Sequence, residues 1–164
     1  MRHVKALAST AVSSRNRSNV TTAILNERTP IGYALPPVSR RLSPELNRVV
    51  GESGNDVQTL HNDPEAAARE GLREPIAVAS RPAALIYRMM LMCFGEGWIV
   101  GGKGSLTYRR PLGIRDFVTA KGTVKEIVPE GADGLRIICE VWVETDKGVK
   151  AIVGSCSGVV RGNG

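Results

Sequence analysis

The residues of this chain best suited to chemistry are an aspartate and a histidine five positions apart, Asp56 and His61. A carboxylate and an imidazole that face the same space can hold a water molecule and take a proton from it. Each residue alone has a plainer explanation, Asp56 as a turn or capping residue and His61 as a hydrogen-bonded loop histidine. Together, ahead of a predicted helix that begins at Asp63-Pro64-Glu65, they form a candidate water-activating pair.

Helices are predicted on both sides of this pair. A long one is expected over 80–94, with Ser80 as its N-cap and Phe94-Gly95 as its stop. It has almost no polar face, which indicates that other structure surrounds it. Shorter helices are predicted over 43–51, where Ser43-Pro44-Glu45 supplies the N-cap and first turn, and over 63–71.

The chain after Gly95 is rich in β-branched residues that alternate with polar ones, which is typical of strands. Four strands joined by short turns are predicted over 98–109, 117–128, 135–144 and 149–160, and these should form an antiparallel sheet. A further short strand is expected over 19–25, and an irregular stretch over 29–37. The pattern predicts an α+β fold in which an antiparallel sheet wraps around the long central helix.

Composition limits the possible partners. The 164 residues are 42% apolar, 23% charged and only 4% aromatic, which indicates a globular domain with an aliphatic core. No apolar run approaches the roughly 20 residues that cross a bilayer, so no membrane partner is expected. The net charge is +6, but four of the basic residues lie in the first 26 positions, which contain no acid. Because the surplus is largely a property of this tail, no nucleic-acid partner is expected.

The tail divides the chain into two parts. Residues 1–18 are predicted to be a flexible or partner-packed arm, and 19–164 a single domain. The arm also resembles an organellar transit segment, so the expected location is cytoplasmic with an organelle as the alternative. Cys93, Cys139 and Cys156 have no CxxC spacing, so they are predicted to be buried free thiols in a reducing compartment rather than metal ligands or disulfides.

Several motifs occur in the order of a known family. The run from Gly54 to His61, GNDVQTLH, followed by Asp-Pro-Glu, resembles the Ser-Gly-Asp-x-Asn-Pro-Leu/Ile-His motif of the MaoC-like hydratases and dehydratases, which include the (R)-specific enoyl-CoA hydratases. Pro75-Ile76-Ala77, 102–108 with Arg110-Pro111-Leu112, and 116–122 extend the resemblance over residues 35–160. The resemblance implies a hot-dog fold.

The resemblance also implies a reaction, the addition of water to an enoyl thioester or its elimination from a 3-hydroxyacyl thioester. Asp56 would orient the water and help to accept its proton, and His61 would act as general base and then as general acid. Backbone N–H groups near Ala79 and Ser80, at the start of the central helix, would stabilise the thioester oxygen. Such a hydro-lyase needs no metal and no cofactor.

The chain departs from the family pattern where the substrate is expected to lie. Gln58-Thr59 replaces the Asn-Pro of the catalytic loop, and Val78-Ala79 replaces the His-Gly before the central helix. We therefore predict that substrate contacts come from Gln58, Val78, Ala79 and Ser80, with the acyl group changed more than the chemistry.

Two other functions stay open at this point. One is a specialised dehydratase or related lyase acting on a polyketide-like biosynthetic intermediate. The other is a non-catalytic hot-dog subunit that binds acyl thioesters. A thioesterase is disfavoured, because hot-dog thioesterases usually place a carboxylate on the central helix and 81–94 contains none.

The expected partners follow from the same resemblance. The substrate is carried by coenzyme A or by acyl-carrier protein, and the basic candidates for coenzyme A phosphates are Lys103, Arg109, Arg110 and Lys121. A single hot-dog sheet has open edges and covers its helix incompletely, so a homodimer is predicted.

Overall fold

The structure, a computed structural model, describes residues 23–45, 59–132 and 134–161. Asp56, Gln58 and the arm over 1–18 lie outside these ranges, as does most of the helix predicted from Ser43. Of that helix only Pro44 and Glu45 are described, and both are helical. Among the described helices, none is long and apolar enough to cross a membrane.

Among the described elements, one short strand comes first, three helices follow, and four strands come last. The helices are α1 (Pro64–Arg69), α2 (Ser80–Phe94) and α3 (Glu96–Gly101). The strands are β1 (Val38–Arg41), β2 (Lys103–Tyr108), β3 (Phe117–Glu130), β4 (Gly134–Thr145) and β5 (Lys150–Arg161). All strand pairs are antiparallel, in the order β1-β3-β4-β5-β2. The predicted α+β class is therefore confirmed.

The core lies between α2 and one face of the sheet. Ile86, Met89 and Met90 of the helix are fully buried, as are the inward-facing valines of β3 and β4. The three thiols are buried and free, as predicted, with Cys93 on α2, Cys139 on β4 and Cys156 on β5. The helix is not surrounded on every side, since Tyr87 and Leu91 are 46% and 42% exposed in the single chain.

The strand predicted from position 98 begins too early. Residues 96–101 form α3, and β2 starts only at Lys103. Gly95 adopts a positive φ of 54° that ends α2 and turns the chain into the new helix. Gly97 then packs so closely on the backbone carbonyl of Val159 that no side chain fits there. The aromatic and β-branched residues Trp98, Ile99 and Val100 suit a strand, but this close packing favours a helical turn.

The sheet order also differs from simple succession. β2 pairs with β5 at the sheet edge, so the chain from 109 to 116 crosses to the far side before β3 begins. The predicted short turns from β3 to β5 are confirmed, and Gly131 and Gly148 occupy them with positive φ. The additional edge strand β1 follows directly on the stretch that was predicted to be irregular.

The end of the strand predicted over 19–25 is not a strand in the part that is described. The N–H groups of Ile24 and Leu25 instead donate to the carbonyls of Met92 and Cys93, at 3.4 and 2.9 Å. These carbonyls lie in the last turn of α2 and have no acceptor role left within the helix. Ile24 and Leu25 therefore cap the C-terminal end of the central helix.

Candidate active site

His61 lies in a tight turn immediately before α1. The N–H of Thr59 donates to Asn62 Oδ1 at 2.8 Å, and the N–H groups of Asn62 and Asp63 donate to the Thr59 carbonyl at 3.0 and 2.9 Å. The Asp63 side chain then accepts from the Glu65 N–H at 3.0 Å and caps α1, as the Asp-Pro-Glu sequence predicts. The turn is thus closed at both ends, and this holds His61 in place.

The imidazole of His61 is oriented by the backbone of the extended segment 75–77. Its Nδ1 lies 3.0 Å from the carbonyl oxygen of Ile76. Because a carbonyl only accepts, Nδ1 carries the proton in this contact, and the neutral ring has its lone pair on Nε2. The half-buried side chain therefore has a fixed tautomer with a proton acceptor at Nε2.

Segment 75–77 joins the histidine turn to the rest of the fold. The N–H of Ile76 donates to the Leu60 carbonyl at 3.0 Å, and the N–H of Ala77 donates to the Leu112 carbonyl at 2.7 Å. Ile76 also forms an isolated antiparallel bridge with Gly113. These contacts tie the turn around His61 to the loop after β2 and lead directly into α2.

The start of α2 differs from the prediction in one respect. The helix begins at Ser80, and Ala79 occupies the capping position with helical φ and ψ of −55° and −32°. The prediction that Ser80 is the N-cap is therefore wrong, and within the described residues no side chain caps this end. The N–H groups of a first helical turn have no acceptor inside the helix. Since Ala79 and Ser80 are exposed, a ligand oxygen can approach this end.

The structure brings four of the predicted site residues into one region. His61 contacts Ile76, and Val78, Ala79 and Ser80 follow within four residues of that contact. The four residue steps from Ile76 to Ser80 span at most about 14 Å, so the helix start lies near the imidazole along the chain. Asp56 and Gln58 lie outside the described residues. The contribution of the Ile76 carbonyl was not predicted, because a backbone group leaves no trace in residue types.

The four basic residues proposed for phosphates do not lie together. Lys121 Nζ is 2.6 Å from Glu144 Oε1 on the outer face of the sheet. Glu144 also accepts from Trp142 Nε1, and the bonds from Lys121 and Trp142 lower the pKa of its carboxyl. Lys103 begins β2, at the opposite end of that strand from the loop that binds Ala77. Arg109 and Arg110 are the two that directly precede this loop.

The larger of two described cavities lies away from these residues. It measures about 770 Å³ and is lined around the end of α2 and α3, including Phe94, Glu96 and Arg136. His61 and the start of α2 are at the other end of the central helix. None of the described residues that line this cavity is a histidine, so the candidate site lies instead at His61 and the start of α2.

Comparison with known proteins shows the fold. No family model matches the sequence, and no curated protein matches it. Among solved structures, a MaoC-like dehydratase of Rhodospirillum rubrum superposes with a TM-score of 0.69 at 19% identity, covering 84% of this chain and 97% of that one. An (R)-hydratase of Pseudomonas aeruginosa gives 0.67 at 18% identity, covering 85% and 86%.

A third similar structure is the (R)-hydratase of A. caviae involved in PHA biosynthesis, with a TM-score of 0.64 at 21% identity. It covers 83% of this chain and 99% of that one. The chain thus has the hot-dog fold of these hydratases and dehydratases, as its motifs predict.

Proposed function

We propose that this protein is a hydro-lyase that adds water to an enoyl thioester or removes it from a 3-hydroxyacyl thioester. The observation that carries the proposal is the His61 imidazole, whose Nδ1 is held by the Ile76 carbonyl so that Nε2 is the basic nitrogen. It follows Asp56 by five residues and lies near the start of the central helix, where no described side chain caps α2. The shared fold with hydratases and dehydratases supports the same chemistry.

In the proposed reaction His61 Nε2 takes a proton from a water that Asp56 orients. The oxygen of that water bonds to C3 of the enoyl thioester, and the electrons of the C2–C3 double bond shift toward the thioester carbonyl. The oxygen of this carbonyl then carries negative charge, which the first N–H groups of α2 stabilise near Ala79 and Ser80. The imidazolium finally returns a proton to C2, and dehydration follows the same path in reverse.

The substrate contacts are part of this proposal. Val78, Ala79 and Ser80 flank the reacting carbonyl at the helix start, and Gln58 contacts the acyl side. Ala79 keeps the backbone N–H that the reaction needs, while its methyl group limits how closely the thioester approaches. The carrier is coenzyme A or acyl-carrier protein, with Arg109 and Arg110, which directly precede the loop that contacts segment 75–77, as candidates for its phosphates.

Replacing the catalytic pair tests the proposal. We expect His61→Gln and Asp56→Asn each to lower kcat by about 10²- to 10⁴-fold, because each removes a group that moves the proton of water. The loss of enoyl-thioester absorbance measures hydration, and thermal unfolding shows that each variant is folded. Controls are His3→Gln and Asp146→Asn, which change the other histidine and a turn aspartate. Unchanged turnover in both folded site variants would contradict the assignment.

The same assay separates the alternatives. A panel of enoyl and 3-hydroxyacyl thioesters of increasing size reveals a specialised lyase if only bulky members react. Binding of thioesters with no turnover, unaffected by Asp56→Asn, identifies a non-catalytic binding subunit instead.

A further inference from the structure

A second, smaller cavity adjoins the candidate site at segment 75–77. It measures about 170 Å³ and lies between the first half of α2, the end of β1 and the loop after β2. Its lining residues are Arg40, Leu42, Ser43, Ala77, Arg81, Ala84, Leu85, Arg88 and Ile114. Ala77 directly follows Ile76, the residue that binds His61, so this backbone segment borders both the candidate site and the cavity.

The cavity is strongly basic. Three of its lining residues are arginines, and none of the described lining residues is acidic. Within the described ranges, neither Arg40 nor Arg88 has a carboxylate within 4.0 Å. Arg81 already takes part in another interaction, so Arg40 and Arg88 are the arginines that can take up an anion. Like charges around one small space repel each other, and a bound anion relieves this repulsion.

The arrangement of the lining indicates which part of a ligand enters. Arg81, Ala84, Leu85 and Arg88 are spaced so that they share one face of α2, with the small Ala84 between the two arginines. Leu42, Leu85 and Ile114 form a buried apolar floor. Methylene groups that lie on this floor would present a terminal charge to the exposed guanidinium groups of Arg40 and Arg88.

We propose that this cavity binds a carboxylate at the far end of the acyl group, so that the protein acts on dicarboxylic acyl thioesters. The inference rests on the proposed function and names its substrate class. Arg88 is eight residues beyond Ser80, about 12 Å along the helix, a distance that an acyl chain of several carbons covers. Guanidinium groups bind carboxylates with charge-assisted hydrogen bonds. The phosphates of coenzyme A form a much larger group on a polar arm, which neither the volume nor the apolar floor suits.

Matched substrates test the inference. Enoyl thioesters on one carrier, in short, medium and long versions, are compared with a terminal methyl or a terminal carboxylate. For the wild type we expect the higher kcat/KM with the carboxylate. Arg88→Gln and Arg40→Gln should each lower this value about 10- to 100-fold, the cost of one hydrogen bond to a charged group. Turnover of the methyl substrates should change by no more than about twofold. Arg28→Gln, an exposed arginine away from the cavity, is the matched control.

Two results would overturn the inference while leaving the proposed function intact. One is an equal or higher kcat/KM with the methyl substrates. The other is an equal loss with both substrates in Arg88→Gln that disappears when N-acetylcysteamine replaces coenzyme A, which would assign the cavity to carrier phosphates.

A binding measurement keeps the inference testable if no thioester reacts. Glutarate and inorganic phosphate are titrated calorimetrically into the wild type and Arg88→Gln. Glutarate binding that Arg88→Gln weakens supports the carboxylate site even though the proposed reaction has failed. Absent glutarate binding, or tighter binding of phosphate than of glutarate, contradicts it.

Discussion

Arg136 is a charged residue held almost entirely inside the protein, at 7% exposure. Its Nε and Nη2 donate to the two carboxylate oxygens of Glu130 at 3.1 and 2.6 Å, and its Nη1 donates to the Gly101 carbonyl and Ser157 Oγ. The bond from Arg136 lowers the pKa of the Glu130 carboxyl, as the bond from Lys121 lowers the pKa of Glu144. Both glutamates are therefore stabilised in their charged form in the folded protein.

Acid should destabilise the protein partly through these two carboxylates. A pKa that is lower in the folded state adds stability above the ordinary glutamate pKa, and this stability is lost as the pH falls through the folded value. We expect Glu130→Gln/Glu144→Gln to be less stable near neutral pH but to lose less of its free energy of unfolding on acidification. Urea unfolding at a series of pH values measures both. Glu126→Gln, an exposed glutamate with no ion pair among the described residues, is the control. Parallel acid profiles for all variants would contradict this role.

Residue spacing predicts a pair of Asp56 and His61, of which only His61 lies among the described residues, but it does not predict how His61 is oriented. The side chains that can move protons are visible in the sequence. The group that fixes the tautomer is the carbonyl of Ile76, 15 residues away, and every residue has such a carbonyl. Only the fold determines which carbonyl comes within reach. The arginines of the small cavity were missed for a similar reason, since Arg40 and Arg88 are far apart in sequence.

At the scale of elements, the sheet and the central helix pack closely together at one glycine. Gly158 of β5 faces the last residue of α2, and a Cβ there would lie 2.5 Å from Phe94 Cγ. Gly158 is buried, and Phe94 is 2% exposed. The missing side chain therefore lets the aromatic ring pack directly on the strand.

Adding a methyl group at this contact should separate the two elements. We expect Gly158→Ala to lower the free energy of unfolding by about 1–3 kcal/mol, the usual cost of overpacking a core. Phe94→Leu in the same chain should recover part of this loss, because the two changes act at one contact. Denaturant unfolding checks both, with Ser155→Ala, an exposed position on the same strand, as the control. A Gly158→Ala variant as stable as the wild type would contradict this prediction, because it would show that the end of α2 moves to admit the methyl group at no cost in stability.

The same close packing explains which elements were predictable. The central helix and the three long strands have a clear periodicity. For each of them, the sequence predicts all but the terminal residues correctly. The intrinsic propensity of residues 98–100 favours a strand, so the sequence predicts one there. The helix forms instead because Gly97 packs on Val159, and this contact depends on the position of β5 in the fold. β1 is only four residues long with one buried side chain, too little alternation to recognise.

At the scale of the whole molecule, apolar surface is concentrated beside an open sheet edge. Ile99 and Val100 of α3 are 73% and 75% exposed, and β2 next to them is the edge strand of the described sheet. Tyr87 and Trp98 stack with ring centroids 6.2 Å apart, which joins the open side of α2 to this surface. Exposed apolar patches beside an unpaired edge mark sites of association.

We propose that a second copy of the chain covers this surface and forms the predicted homodimer. We expect the wild type to sediment as a dimer at micromolar concentration and Ile99→Glu to shift it toward monomer, because a charge placed in an apolar interface loses its water. Lys147→Glu, in the exposed turn between β4 and β5, should leave the dimer unchanged. A wild-type monomer at that concentration would refute the dimer.

The three buried thiols lie on three different elements that meet in the core. Burial raises the pKa of Cys93 and Cys156 to about 11 and that of Cys139 to about 12, so almost no reactive thiolate forms near neutral pH. An alkylating reagent can therefore modify them only when the helix lifts from the sheet. The three cysteines therefore report transient opening of the core without any introduced labelling site. Mass spectrometry after a labelling pulse would report how often this core opens.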